Sequence, residues 1–213
     1  MKLVLIRHGN TFEANETPVW TGAKNDLALT KQGEQQAEAL ASFFSSANII
    51  PNIIYSSNLK RTKKTAQILQ KIASPSNIAV EICISDKLIE VDYGKWGGHS
   101  DEYVVNNFGE EALNNWRKYG IFPSAESGWE QEEKIESRIA TFYQELLENH
   151  GEDDVVFVIS SNGVLRYFLK NIEGEFEKRQ ETGDFKVKTG AYCILDYNHK
   201  QGKLQVKEWS KRP

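Results

Sequence analysis

Short apolar runs alternate with longer amphipathic stretches along most of the chain. Leu3-Val4-Leu5-Ile6 is uninterrupted and predicts a strand buried on both faces. Thr30-Lys31-Gln32-Gly33-Glu34 reads as a helix opening with a Thr cap, and Ala37, Leu40, Ala41 and Phe44 fall on one face of that helix. Ile53-Ile54-Tyr55 predicts the next strand, followed by Ser56-Ser57 and a helix through Arg61 to about Ile72; Val80–Ile84 predicts a third strand. From about Glu130 to Glu148, Ile135, Ile139, Phe142, Leu146 and Leu147 recur at helical spacing. Val155–Ile159 is the most strongly apolar strand, and Gly163–Leu169 predicts the helix after it. Ala191–Tyr197 and Lys203–Trp209 alternate apolar and polar around Asn198–Gly202, which predicts a partly solvated terminal β-hairpin. This βα repetition predicts an α/β fold: a three-layer α/β/α sandwich around a mainly parallel sheet, closed by an antiparallel hairpin. Residues 99–128 break the pattern and suggest a helical excursion over the carboxyl edge of the sheet, the alternative being a surface elaboration without a role.

Composition narrows the class. With 213 residues, 39% hydrophobic and 26% charged, the chain fits one soluble domain spanning 1–213 rather than a disordered tail. No apolar run approaches a membrane span, and the first one is too short for a secretory signal before Arg7 interrupts it. Cys83 and Cys193 sit in strand-like runs and read as reduced core thiols of a cytoplasmic protein, a disulfide being the alternative. No Cys/His spacing suits zinc. A net charge of −4 argues against a nucleic-acid binder and leaves room for a local basic site directed at a small anion.

The candidate chemistry lies where strands end, because ligands of open α/β sheets bind at the carboxyl ends of the strands. The first strand delivers Arg7 and His8 into a loop opened by Gly9. Arg is a planar, permanently charged fork suited to phosphate, and His is a nitrogen nucleophile or proton carrier near neutrality. Arg61 falls near the start of the helix after the second strand, where amides favour anions. Leu88–Gly98 combines Glu90 and Asp92 with aromatics and glycines; Glu90, between Ile89 and Val91, is a candidate proton donor, and Asp92 reads as part of an exposed loop. Ser160-Ser161-Asn162-Gly163, after the most apolar strand, is a candidate anion nest.

Taken in order, these stretches resemble the histidine phosphatase, or phosphoglycerate mutase-like, family. The matching residues are Arg7-His8-Gly9-x-Thr11, then Asp26-x-x-Leu29-Thr30-x-x-Gly33-x-x-Gln36-Ala37, then Ser57-x-Leu59-x-Arg61 with Thr65-Ala66. Leu88-x-Glu90 with Tyr93-Gly94-x-Trp96-x-Gly98 follows, and then Pro123-x-x-Glu126-Ser127 with Arg138. The resemblance implies a phosphoglycerate mutase-like fold and phosphotransfer without metal or cofactor. His8 would become a phosphohistidine, Arg7 and Arg61 would clamp the phosphoryl oxygens, and Glu90 would protonate the leaving oxygen and then activate water. Thr11 belongs to the same motif and counts as substrate-binding.

Two departures bear on activity. The family's usual second histidine follows the last core strand in a Ser-His-Gly loop, where this chain places Ser161 and Asn162. Losing one charge-assisted hydrogen bond of roughly 1.5–3 kcal/mol slows a reaction about ten- to a hundredfold, so the expectation is slowed catalysis, with Ser161 or Asn162 recovering part of it and His99 as a second route to compensation. The family's Asn seven positions after the Arg is Ala14 here, and a one-residue shift would bring Asn15 to the phosphate instead. The expected function is hydrolysis of a small phosphorylated metabolite. Mutase-type transfer or a non-catalytic phosphate-binding module are the alternatives. The expected assembly is a monomer, or a homodimer formed through the hairpin's open edge.

Overall fold

In the computed structural model, which describes residues 1–72 and 80–213, the sheet has six strands in the order β3-β2-β4-β1-β5-β6. They are β1 (Lys2–Arg7), β2 (Ile53–Ser56), β3 (Glu81–Ile84), β4 (Val155–Ser160), β5 (Tyr192–Asn198) and β6 (Lys203–Lys211). The first four are mutually parallel; β5 runs antiparallel to β1, and β6 antiparallel to β5. The central strands β1 and β4 are continuous apolar runs because both of their faces are covered. Leu3 and Leu5 join one core with Val156 and Val158, whereas Val4 and Ile6 join the opposite core with Phe157 and Ile159.

Helices α1 (Lys31–Ser46) and α2 (Lys60–Ile72) cover the second of these faces. The Thr30 side chain accepts the Gly33 N–H and caps α1, whose Ala37, Leu40, Ala41 and Phe44 are buried as the periodicity requires. The other face is covered by α5 (Glu132–Asn149) and by α6 (Asn162–Leu165), which continues as a 3-10 helix over Arg166–Asn171. The predicted helix over Gly163–Leu169 therefore tightens after one turn. There the Arg166 Nε donates to the Asn162 carbonyl at 3.3 Å, the acceptor an α-helical amide at 166 would use. The hairpin turn at Gly202 has φ +61°, and β6 alternates buried and exposed positions.

Residues 99–128 contain α3 (Asp101–Phe108), α4 (Glu110–Asn114), a π-turn at Asn115–Tyr119 and a 3-10 turn at Ala125–Ser127. Val104, Leu113 and Trp116 anchor this segment in the larger core. Trp96, Trp116 and Tyr93 meet Trp129 edge-on with ring centroids 4.7–4.9 Å apart, and Trp20 meets Trp96 at 5.0 Å. Such edge-to-face pairs fix ring orientation as well as burying area. α7 (Glu175–Thr182) precedes the segment that returns the chain to β5.

Candidate active site

The strand register aligns Arg7 of β1 with Ser160 of β4, and Ser56 of β2 with Ile159, so three loops leave the sheet at one edge. The His8 N–H donates to the Ser160 carbonyl at 3.2 Å, and the His8 carbonyl accepts the Gly190 N–H at 3.1 Å. On the other side Gly9 crosses Gly33 in the first turn of α1 so closely that a Cβ on either residue would overlap backbone of the other loop. The Asn10 N–H donates to Gln36 Oε1 at 2.8 Å. The loop carrying His8 is thus clamped between β4 and α1, which explains why the motif joins Gly9, Gly33 and Gln36.

The His8 ring is 5% exposed. Its Nδ1 lies 2.7 Å from the Gly9 carbonyl, which can only accept, so Nδ1 carries the proton. Nε2 is left with a lone pair and accepts the Arg61 Nε–H at 3.2 Å. Arg61 is held by two further bonds, from Nη2 to the Gly22 carbonyl at 2.9 Å and from Nη1 to the Asn25 carbonyl at 3.2 Å. Burial pushes His8 well below the usual histidine range, the Arg61 and Arg7 charges push the same way, and the Gly9 carbonyl opposes them. The imidazole is therefore neutral at pH 7 with an unprotonated Nε2.

Arg7 donates from Nη1 to the Val187 carbonyl at 2.8 Å, and its Nε is buried without a partner. Burial lowers Arg7 to about 10, with Glu90 opposing, which leaves it cationic at neutrality. Glu90 is 6% exposed; Oε1 accepts the Val91 N–H at 2.9 Å and Oε2 accepts the Gly163 N–H at 3.4 Å. A Cβ on Gly163 would lie 2.5 Å from Glu90 Oε1, so only glycine lets α6 approach this carboxylate.

These groups open onto a cavity of about 690 Å³. Of the residues expected from the sequence, Arg7, His8, Thr11, Glu90 and Asn162 line it. Asn162 fixes its own orientation by accepting the Val187 N–H on Oδ1 at 2.9 Å. Arg61 reaches the site through its bond to His8 and is itself fully buried outside the lining. Ser161 also lies outside the lining; it precedes α6, and its Oγ is buried without a partner. The one-residue shift expected for Asn15 is not found. Ala14 lines the cavity, while Asn15 is exposed at the tip of a turn closed by the Glu16 N–H on the Glu13 carbonyl at 3.1 Å. His99 is exposed and stacked on Tyr103 with ring centroids 3.8 Å apart, outside the lining, so it does not lean into the site.

The cavity has a second wall that no strand end announced. Arg166 lines it from behind α6, Lys186 from the segment before β5, and Trp116 and Arg117 from the excursion. Arg117 pairs with Asp101 at 2.5 Å, and Asp101 also accepts the Trp20 Nε1–H at 3.1 Å. Tyr93 completes the surroundings of Glu90; burial holds its hydroxyl well above the usual phenol range. Arg166 follows the Ser160–Gly163 stretch by three residues, but nothing in the sequence separated it from an ordinary helical arginine. Lys186 and Arg117 had no signal beyond their charge. Among the described residues no group of three or more His, Cys, Asp or Glu side chains is placed to hold a metal ion, and no helix is long and apolar enough to cross a membrane.

The chain is 32% identical over 158 residues to phosphoserine phosphatase 1 of Hydrogenobacter thermophilus, covering 74% of this chain and 70% of that one. It is 29% identical over 199 residues to a 2,3-bisphosphoglycerate-dependent phosphoglycerate mutase of Bartonella bacilliformis, covering 92% of each. The fold matches a mycobacterial glucosyl-3-phosphoglycerate phosphatase with a TM-score of 0.81 at 19% identity, over 100% of this chain and 99% of that one. A family model spans residues 3–210, and the chain belongs to the histidine phosphatase superfamily, branch 1.

Proposed function

We propose that this chain hydrolyses a small phosphomonoester through a phosphohistidine on His8. The observation that carries this reading is the state of the His8 ring: its Nδ1–H is held by Gly9 and its Nε2 lone pair lies among guanidinium groups at the cavity. A neutral imidazole fixed in that tautomer is a nucleophile that needs no base to activate it. Nε2 releases the Arg61 N–H and attacks phosphorus, the bond from phosphorus to the ester oxygen breaks, and Glu90 passes to the departing oxygen the proton that the substrate's phosphate brings to it. Arg7 faces the transferring phosphoryl oxygens, and Arg61, whose Nε–H holds the Nε2 lone pair in the free enzyme, turns that N–H to a phosphoryl oxygen as the lone pair is taken up. A water molecule then gives a proton to Glu90 and attacks the phosphohistidine, releasing phosphate and restoring His8.

The loop that resembles the position of the family's second histidine carries Ser161 and Asn162. With Oδ1 of Asn162 engaged by Val187, its side-chain amide N–H is the group available to a phosphoryl oxygen. Ser161, outside the lining, contributes less to this reading than Asn162. Thr11 lines the cavity in the His8 loop and is a further contact for the substrate. The free thiols Cys83 and Cys193 fit a reducing, cytoplasmic setting.

Transfer rather than hydrolysis is the second reading, favoured by the mutase relative that matches 92% of the chain. Rapid-quench labelling with phosphate esters tests both. The expected result is an acid-labile phosphoenzyme on His8 that decays to inorganic phosphate, with both signals lost in His8→Ala. Isomerised 3-phosphoglycerate in place of free phosphate would favour the mutase. Neither phosphoenzyme, phosphate nor isomer from any ester would overturn the enzymatic reading.

A further inference from the structure

Among the described residues Lys186 is the only lysine that lines the cavity. It sits in the segment before β5, exposed between the fully buried Phe185 and Val187. Lys2, Lys24, Lys64, Lys87, Lys170 and Lys178 each pair with a carboxylate, whereas no described carboxylate pairs with Lys186. Its backbone adjoins the phosphoryl end of the cavity, because the next carbonyl, that of Val187, accepts the Arg7 Nη1–H at 2.8 Å.

Burial against the cavity wall pushes the amine below the usual lysine range, and Arg7, Arg117 and Arg166 push the same way. Asp101 alone opposes them, and it is already bonded to Arg117 and Trp20. Near neutrality a larger share of this amine is therefore unprotonated than of a lysine on open surface, and the unprotonated form is the nucleophile. The cavity also selects what meets it. A molecule held by its phosphate at Arg7 keeps any carbonyl it carries close to the amine, which turns an encounter between two solutes into a local one. At about 690 Å³ the cavity has room for more than the phosphate itself.

We propose that Lys186 is a covalent attachment site for phosphate-bearing aldehydes, captured as an imine that occupies the cavity. The Nζ lone pair attacks the aldehyde carbon, and the C=O π electrons move to oxygen. The two amine hydrogens and that oxygen then leave as water while the C=N bond forms. The step needs no oxidant or reductant and is reversed by hydrolysis. It rests on the reading that the cavity receives phosphate esters, but not on turnover by His8.

The probe is pyridoxal 5′-phosphate, with pyridoxal as the aldehyde lacking the phosphate. Each is incubated with wild type, His8→Ala and Lys186→Arg, the imine is reduced with borohydride, and labelled lysines are mapped by peptide mass spectrometry. His8→Ala prevents loss of the probe by hydrolysis, and arginine at 186 keeps the charge but forms no imine. The label on Lys186 is read relative to that on Lys200, an exposed lysine of the hairpin turn, which cancels the differing reactivity of the two aldehydes. With pyridoxal 5′-phosphate that ratio is expected to be about tenfold or more, falling toward one with pyridoxal or with excess inorganic phosphate. In wild type, loss of p-nitrophenyl phosphate hydrolysis should follow the Lys186 label, and Lys186→Arg should resist it. A ratio near one with pyridoxal 5′-phosphate overturns the inference, as does a ratio that pyridoxal matches or that inorganic phosphate leaves unchanged. Full activity in enzyme fully labelled at Lys186 overturns it too, and each of these results leaves the phosphatase reading intact. If no ester is hydrolysed, the phosphatase reading fails, and the label ratios on His8→Ala decide the inference by themselves.

Discussion

Replacing Gly163 with Ala separates the position of Glu90, the proposed general acid, from the stability of the fold. The new Cβ would lie 2.5 Å from Glu90 Oε1 and 2.9 Å from both the Tyr93 hydroxyl and Val91 Cγ2. Ordinary contact between carbon and oxygen begins near 3.4 Å, so the carboxylate must move by close to an ångström. All three obstacles are side-chain ends, and Gly163 sits inside the helical turn of α6 with no backbone conformation that excludes Ala. Overpacking costs about 1–2 kcal/mol at such a site. Alanine in a helical position returns about 1 kcal/mol relative to glycine. Net stability should change by no more than about 1 kcal/mol, a shift of roughly 2–4 °C in Tm for a chain of this size. Catalysis has no such compensation, because an ångström of misplacement in a reacting group costs on the order of a hundredfold in rate. Rapid-quench measurement of phosphoenzyme formation from an alkyl phosphate, alongside a thermal melt, should show the rate falling about ten- to a hundredfold with the melt nearly unchanged. A rate within about twofold of wild type, at similar Tm, would refute the assignment of Glu90 as the group whose placement Gly163 protects.

Glu90→Gln should lower the rate on alkyl phosphates by about 10²–10⁴-fold and the rate of phosphoenzyme formation from p-nitrophenyl phosphate far less, since that leaving group departs without a proton. Equal losses on both esters would show that Glu90 does not act on the leaving oxygen. The depressed His8 has two consequences for pH. The acid limb of kcat/KM assigned to His8 by comparison with its ring NMR titration should fall well below pH 6.5, and a ring titrating at 6.5 or above would contradict the buried, guanidinium-flanked geometry. For stability, unfolded His8 binds its proton near pH 6.5 while folded His8 still lacks one, so stability falls as pH drops below 6.5 until the folded ring also titrates. Against His8→Ala, denaturant melts should show that loss at up to about 1.4 kcal/mol per pH unit. Gly33→Ala should behave oppositely to Gly163→Ala, because its Cβ meets the Asn10 backbone rather than side-chain ends. A loss of about 2 kcal/mol is expected despite the helical position, together with reduced phosphoenzyme formation as the His8 loop shifts, and an unchanged or raised Tm would show that the clamp is loose.

The parts of this molecule legible in the sequence are those whose position follows from a local period. β1 and β4 read as unbroken apolar runs because both faces of the central sheet are covered, and their ends fixed where Arg7, His8 and Asn162 would emerge. α1 was marked by the Thr30 cap and by the spacing of Ala37, Leu40, Ala41 and Phe44. The sequence signal weakened wherever a side chain is placed by packing from a distant stretch. Arg61 is drawn against the Nε2 edge of His8 by the carbonyls of Gly22 and Asn25, which belong to an aperiodic loop. Arg166 cuts α6 short and is aimed by Trp116 from the excursion, so its role at the cavity could not be separated from that of any arginine on a short helix. Lys186 is the clearest case. Phe185 and Val187 on either side of it are fully buried, and Lys186 between them is exposed. It lines the cavity, next to the point where the Val187 amide is bonded to Asn162 and the Val187 carbonyl takes the Arg7 Nη1–H. The backbone that orients Arg7 and Asn162 therefore also delivers the Lys186 amine to the same cavity, so the placement of all three side chains runs through one residue, Val187.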